Sequence, residues 1–264
     1  MTREHCTLDL GNSALKLRRW ELEGAGRPRL ASARTLEPAT ASFATELGAW
    51  LAQGRAGEAA LSSVAAAEVE QRVIAACRDA GLEVRATLAP GVENCTRTPH
   101  TVGRDRLFAA RGAWELLGAS CVVIDAGTAV TVDALEAAAQ PRFLGGAIAP
   151  GPALMSRALH QFTARLPLVE VDATVPALGV DTVSALQAGV LHGFRGAVLE
   201  LARRMSSELG GAVPIVVSGG AAALLLEPHL LEGDVQHEPE LVHLGLLAAL
   251  LDAGAAPRRH GWQR

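Results

Sequence analysis

The fold is decided by the stretch Asp9-Leu10-Gly11-Asn12-Ser13, which recurs 116 positions later as Asp125-Ala126-Gly127-Thr128-Ala129. Each copy follows an apolar run that predicts a buried strand and precedes a second strand-like run. A single Asp-x-Gly turn is common and carries little information. Two such turns in matching strand-turn-strand contexts indicate that the chain arose by internal duplication.

Around the first copy, the pattern predicts alternating strands and helices. His5–Leu10 and Ala14–Trp20 form a hairpin joined at Gly11-Asn12, because these residues tolerate the backbone angles of a tight turn. Apolar spacing then predicts further elements: helices over 42–51, 65–80 and 104–117, strands over 59–64 and 83–88, and a loop over 89–102.

A second cycle begins at residue 121. Its predicted elements are strands over 121–125, 130–135 and 213–217, a glycine-rich turn over 144–151, helices over 152–162 and 183–209, an amphipathic helix over 240–251, and a frayed tail over 253–264. The repeated α/β cycle predicts two domains, residues 1–118 and 119–264. A chain of 264 residues can bury a core in each.

Composition narrows the class of protein. No stretch approaches the roughly 20 apolar residues that cross a bilayer, and the start of the chain lacks a signal-peptide pattern, so we expect a cytoplasmic protein without a membrane partner. A net charge of −4 and few aromatic residues argue against a nucleic-acid partner. The four cysteines, widely spaced and without a C-x-x-C pair, are interpreted as reduced and structural.

The two turns suit phosphate binding. Glycine at a bend lets backbone amides approach an anion, and Asn12, Ser13 or Thr128 can add side-chain donors. Asp9 and Asp125 would repel a polyphosphate unless a cation lies between, so each implies a metal or its coordinated water. Neither G-x-x-x-x-G-K-[ST] nor a G-x-G-x-x-G after the first strand is found, which argues against P-loop and dinucleotide folds.

Asp105 is the best-placed carboxylate for activating a substrate hydroxyl, because it opens a predicted helix after a Pro/Gly loop. A role as a helix cap with salt-bridged neighbours explains it as well. Arg106 is either a surface charge or a fork for a substrate carboxylate. Ser218-Gly219-Gly220 is either a plain strand-to-helix turn or a place where an adenine ring approaches the backbone.

Taken together, these motifs resemble the type III pantothenate kinase family, of the actin-like kinase superfamily, over nearly the whole chain. The matching segments are Asp9 to Ser13 and Asp125 to Thr131 as the two phosphate motifs, Gly103-Arg104-Asp105-Arg106 as the G-x-D-R pantothenate motif, Gly145 to Gly151 as G-G-x-I-x-P-G, and Asp181-Thr182 with the residues that follow.

The resemblance implies two ribonuclease H-like lobes with a nucleotide cleft between them, and a homodimer. It implies ATP with Mg²⁺, a monovalent cation (K⁺ or NH₄⁺) at Asp125, and pantothenate as substrate. The implied site residues are Asp105 as the catalytic base; Gly103, Arg104, Asp105, Arg106 and Thr182 for substrate; and Asp9, Leu10, Gly11, Asn12, Ser13, Ala14, Leu15, Lys16 and Thr128 for ATP.

Two residues depart from the family pattern. Arg104 stands where many relatives carry a small or apolar residue, and His100 lies where some carry a substrate-contacting tyrosine; a solvated loop histidine is the favoured interpretation. Two other functions stay open: an actin-like kinase of another small alcohol or a sugar, and a non-catalytic regulatory or accessory protein of the same fold. Three retained acids argue against the latter.

Overall fold

The computed structural model describes residues 3–11, 14–22, 27–254 and 262. The chain forms two compact units, one of residues 1–118, 139–141 and 241–264 and one of residues 119–138 and 142–240. The last helix therefore belongs to the first unit, although the predicted second domain, 119–264, included it. Asn12, Ser13 and most of the predicted tail lie outside the described residues.

The first unit is built on a five-stranded sheet. Its elements are β1 (Arg3–Leu10), β2 (Leu15–Leu22), β3 (Arg29–Leu36), α1 (Phe43–Leu51), β4 (Glu58–Ser63), α2 (Ala67–Asp79), β5 (Glu83–Arg85), β6 (Glu93–Asn94), α3 (Arg104–Leu117) and α6 (Leu241–Gly254). The first five strands lie in the order β3-β2-β1-β4-β5. β1, β2 and β3 are antiparallel neighbours, which confirms the predicted hairpin, and β4 and β5 run parallel to β1.

Alternation along β1 separates a core face from a polar face. Cys6, Leu8 and Leu10 are buried in an apolar cluster with residues of α1 and α2. On the other face, the Thr7 hydroxyl lies 2.8 Å from Nδ1 of His243 in α6. Asp9 shares this second face, so the apolar core anchors the strand while the acid stays available at its end.

Helices α3 and α6 pack at very close range. A side chain at Gly112 would overlap the carbonyl of Leu241, and one at Gly245 would overlap the carbonyl of Phe108. α6 also contacts β1 and β4. Because it is covered on several sides, every residue from Leu241 to Leu251 is buried. The prediction of an amphipathic last helix was therefore wrong.

The second unit repeats the strand order of the first. Its elements are β7 (Cys121–Ala126), β8 (Ala129–Glu136), β9 (Arg142–Pro150), α4 (Pro152–Phe162), α5 (Thr182–Glu208), β10 (Ile215–Ser218) and β11 (Val235–His237). The order β9-β8-β7-β10-β11 matches β3-β2-β1-β4-β5, again with an antiparallel meander followed by two parallel strands. This common topology confirms the internal duplication.

The prediction of a turn at residues 144–151 was wrong, and one strand was missed. Residues 144–151 were expected to turn, but 142–150 form β9, in which Gly146 pairs with Asp133. A side chain at Gly146 would overlap the Val132 carbonyl, so glycine serves close approach within the ladder there. β3 was not predicted, because it is an edge strand whose residues are mostly exposed and lack apolar alternation.

Three of the four cysteines lie in the core, and all four are free thiols. Burial raises the pKa of Cys6, Cys77 and Cys121 to about 12, so their thiols stay protonated at neutral pH. In the described part of the chain, no helix combines the length and the apolar character that a membrane span requires.

Candidate functional site

The first acidic bend lies at the end of β1. Leu10 pairs with Leu15 at the end of the β1–β2 ladder, and the Gly11 amide donates to the Ala14 carbonyl at 2.9 Å. Asp9 is 8% exposed and is the penultimate residue of β1. The bend thus holds a nearly buried carboxylate beside backbone that carries no bulky side chain at Gly11.

The end of β4 connects this bend to the start of α3. The Val64 amide donates to the Leu10 carbonyl at 3.0 Å. A Cβ at Gly103 would lie 3.6 Å from Cγ1 of Val64 and would overlap the Asp105 carboxylate. The structure therefore brings Leu10, Gly103 and Asp105 together within the first unit, although more than ninety residues of sequence separate Leu10 from Gly103.

Asp105 occupies the second position of α3 and is half-buried. Gly103 is the N-cap, without a side-chain cap bond, so the capping role considered for Asp105 falls to glycine. One carboxylate oxygen of Asp105 accepts the Arg106 amide at 2.8 Å. The positive end of the helix dipole favours an anion here, which suits both this carboxylate and a ligand anion near Arg106.

Arg104 is held by the protein itself. Its guanidinium donates to the Leu88 carbonyl at 2.7 Å and lies 5.2 Å from the centre of the Phe108 ring. Burial lowers the pKa of this guanidinium. These contacts tie the loop before α3 to the helix, and they give Arg104 a structural role at the position where the resemblance implied a substrate contact.

Asp9 has a register partner on each side. In β2, Lys16 pairs with Asp9, and its Nζ lies 3.6 Å from Oδ2. In β4, Ser62 pairs with Asp9 and is completely buried. The Lys16 side chain is 47% exposed, so the ion pair is weak and its ammonium can reach a phosphate oxygen.

The second acidic bend lies at the end of β7. Ala126 pairs with Val130, and Gly127 and Thr128 form the bend between β7 and β8. The Gly127 amide donates to the Ala129 carbonyl at 3.0 Å. Asp125 is half-buried and Thr128 is exposed, so a carboxylate and a hydroxyl lie at this bend.

Two distant glycines lie against the second bend. Gly219, at the end of β10, has a φ of +94°, and a Cβ there would lie 2.5 Å from Oδ1 of Asp125. The Gly151 amide donates to the Thr128 carbonyl at 2.9 Å, and a side chain at 151 would overlap the Gly127 carbonyl. Glycine is required at both positions because backbone must touch backbone.

Thr182 and His100 belong neither to the two acidic bends nor to α3. Thr182 is the first residue of α5, where Asp181 and Ser184 form a capping box, and its side chain is exposed. His100 is exposed in a short 3₁₀ turn over Pro99–Thr101, in agreement with the solvated interpretation. Asp9 and Asp105 belong to the first unit, whereas Asp125, Thr128 and Thr182 belong to the second.

The acids fit a hydrated cation better than a protein-enclosed metal. No group of three or more His, Cys, Asp or Glu side chains that could enclose a metal is present in the described ranges. Mg²⁺ keeps several waters and commonly takes one or two carboxylates together with substrate phosphates. Each bend provides one carboxylate, Asp9 in the first unit and Asp125 in the second, and a single carboxylate is enough for a cation that keeps its waters.

Ser62 was not predicted as a site residue from the sequence. Gly151 and Gly219 were identified in sequence motifs, but their contacts with the second bend were not predicted. The signal for Ser62 was a Ser-Ser pair that ends an otherwise apolar strand, 58–63. The glycine contacts depend on the pairing of segments far apart in sequence, which spacing does not reveal.

Comparison with known proteins gives consistent matches to one family. Residues 6–204 match the family model described as type III pantothenate kinase. A type III pantothenate kinase of Parafrankia sp. is 33% identical over 91% of this chain and 94% of its own length. One from Dehalococcoides mccartyi is 40% identical over 55% of each chain, and one from Akkermansia muciniphila is 42% identical over 48% of this chain and 52% of its own. The chain thus spans about half the length of most of these relatives.

Solved structures show the fold. A glucokinase from an Antarctic psychrotroph superposes with a TM-score of 0.51 at 12% identity, over 95% of this chain and 99% of its own. Component A of the Acidaminococcus fermentans (R)-2-hydroxyglutaryl-CoA dehydratase gives a TM-score of 0.52 at 12% identity, with the same coverage. Together with the duplicated strand order, this likeness confirms the expected actin-like kinase fold with two ribonuclease H-like units.

Proposed function

The chain belongs to the type III pantothenate kinase family, and we propose that it transfers the γ-phosphate of ATP to the primary hydroxyl of pantothenate. The product is 4′-phosphopantothenate, and the reaction opens coenzyme A biosynthesis in the cytoplasm. The observation that carries this proposal is the junction in the first unit where the Asp9 bend, the end of β4 and the Gly103–Arg106 segment meet.

In this reaction, Asp105 is the general base. Its carboxylate stands at the start of α3, where one oxygen is held by the Arg106 amide and the other can accept a hydroxyl proton. The Arg106 guanidinium pairs with the pantothenate carboxylate and thereby orients the acceptor. Gly103 leaves room for the Asp105 carboxylate, because a side chain there would overlap it.

The two glycine bends hold the nucleotide. Residues 9–16 bind the polyphosphate through bend amides and Lys16, and Thr128 donates to phosphate from the second bend. Asp9 binds the hydrated Mg²⁺ that accompanies ATP, and this ion supplies charge neutralisation when bound. Asp125, whose carboxylate lies against Gly219, binds the monovalent cation.

We also propose that the protein is a homodimer. Among the described residues, all exposed large apolar side chains except Leu30 lie between residues 144 and 183, and Phe162 and Val180 are 80% and 88% exposed. Exposed large apolar side chains that are concentrated in one stretch of the chain favour an association surface there. Thr182 lies within the same stretch, which brings substrate binding close to the subunit contact.

The test is transfer of labelled phosphate from ATP. With Mg²⁺ and K⁺, we expect labelled 4′-phosphopantothenate from pantothenate and none from a panel of sugars and other small alcohols. Replacing K⁺ by Na⁺ should lower the rate. Labelling of a sugar instead would favour a different kinase of this fold, and labelling of none of these acceptors would contradict the proposed transfer.

A further inference from the structure

Among the described residues, two neighbouring buried hydroxyls near the proposed nucleotide site, those of Ser62 and Ser63, have no hydrogen-bond partner. Ser62 is the penultimate residue of β4 and is 0% exposed. In the described structure, its hydroxyl makes no hydrogen bond. Burying a hydroxyl without a partner is unfavourable, so such a group is expected to gain one in another state of the protein.

The register of the sheet directs this hydroxyl towards Asp9. Ser62 and Asp9 are partners in the parallel β1–β4 pair, so their side chains stand on the same face of the sheet. Neighbouring strands lie about 4.8 Å apart, so rotation about χ1 of serine can bring its Oγ within hydrogen-bond reach of the carboxylate. On the far side of Asp9, Lys16 lies 3.6 Å from Oδ2.

We propose that Ser62 is a positioning residue for Asp9: its hydroxyl donates to the Asp9 carboxylate when the nucleotide and its cation bind. This inference rests on the function proposed above. As Lys16 turns towards the phosphates, the Ser62 hydroxyl donates to one carboxylate oxygen of Asp9. The other oxygen then faces the hydrated cation in a fixed orientation.

The adjacent serine provides a matched control. The Ser63 hydroxyl is likewise buried and unpartnered, but Ser63 pairs with Leu10 and stands on the opposite face of the same strand. Ser62→Ala and Ser63→Ala therefore remove the same chemical group from the same strand, one beside Asp9 and one away from it. Ser62→Thr keeps a hydroxyl at the tested position.

The experiment is calorimetric binding of a non-hydrolysable ATP analogue to the full chain, with Mg²⁺ and with EDTA. Because a hydrogen bond to a charged group is lost, Ser62→Ala should bind the analogue about tenfold more weakly with Mg²⁺. Its affinity in EDTA should stay at the wild-type value. Ser63→Ala should match the wild type in both conditions, and Ser62→Thr should recover most of the Mg²⁺-dependent affinity.

The ratio of the two affinities is taken within each variant, so a change in folding stability alone does not alter it. A ratio in Ser62→Ala equal to that of the wild type would overturn the positioning role, whether both affinities are unchanged or both fall by the same factor. If the wild type binds the analogue and phosphorylates pantothenate in such a case, only this inference fails. If the wild type binds no nucleotide, the proposed function fails with it.

Discussion

Gly219 shows how a single residue supports the second acidic bend. Its φ of +94° is a conformation that side chains rarely adopt, and the space of a Cβ is taken by Oδ1 of Asp125 and the Ala126 carbonyl, each 2.5 Å away. The following residue, Gly220, has no neighbour within 4 Å of a Cβ and no positive φ. Gly219 therefore has to be glycine, whereas the position of Gly220 has room for a side chain.

We therefore predict that Gly219→Ala lowers the free energy of unfolding by about 1–3 kcal/mol, through backbone strain and displacement of the Asp125 carboxylate. Gly220→Ala should stay within about 0.5 kcal/mol of the wild type. Urea unfolding of both variants measures the difference. Equal stabilities would show that Gly219 does not need its present conformation.

At the scale of elements, α3 carries Asp105 and is positioned by α6. The close approach depends on Gly112 and Gly245, whose missing side chains let each helix touch the backbone of the other. Displacing α6 would therefore move the helix whose first turn holds the proposed base. Gly196, exposed in α5, has free space around its Cβ position and serves for comparison.

Gly245→Ala should lower the free energy of unfolding by about 1–3 kcal/mol, because the added methyl overpacks the helix crossing. Gly196→Ala should instead raise it by up to about 1 kcal/mol, since alanine favours a helix interior over glycine. Denaturant unfolding followed by circular dichroism gives both values. A Gly245→Ala variant as stable as Gly196→Ala would contradict the close crossing.

Elements whose apolar residues follow a helical or strand period could be predicted from sequence, whereas elements without such a period could not. The β1–β2 hairpin and α3 follow from periodicity and turn residues, and the two bends follow from their repetition. β3 has too few buried residues to give a signal, and the glycines of β9 imitate a turn although they permit close strand pairing. Ser62 became visible as a site residue only once the β1–β4 register placed it beside Asp9.

At the scale of the whole molecule, the proposed dimer makes a clear prediction. Glutamate in place of the exposed Phe162 and Val180 should put charge into the apolar surface and shift the protein from dimer to monomer. Leu30→Glu, in the first unit, should leave association unchanged because Leu30 lies outside the 144–183 stretch. Sedimentation velocity distinguishes these species, and a wild type that sediments as a monomer would refute the dimer.

The central claim is that Asp105 activates the pantothenate hydroxyl beside the Asp9 bend. The most direct measurement is the rate of phosphate transfer from ATP to pantothenate by Asp105→Asn, with the exposed Asp79→Asn as a control for loss of an acid in the first unit. General-base catalysis contributes about 10²–10⁴-fold, so Asp105→Asn should lose at least about 100-fold in kcat while it still binds ATP, and Asp79→Asn should keep the wild-type rate. Transfer at the wild-type rate by Asp105→Asn would contradict the account.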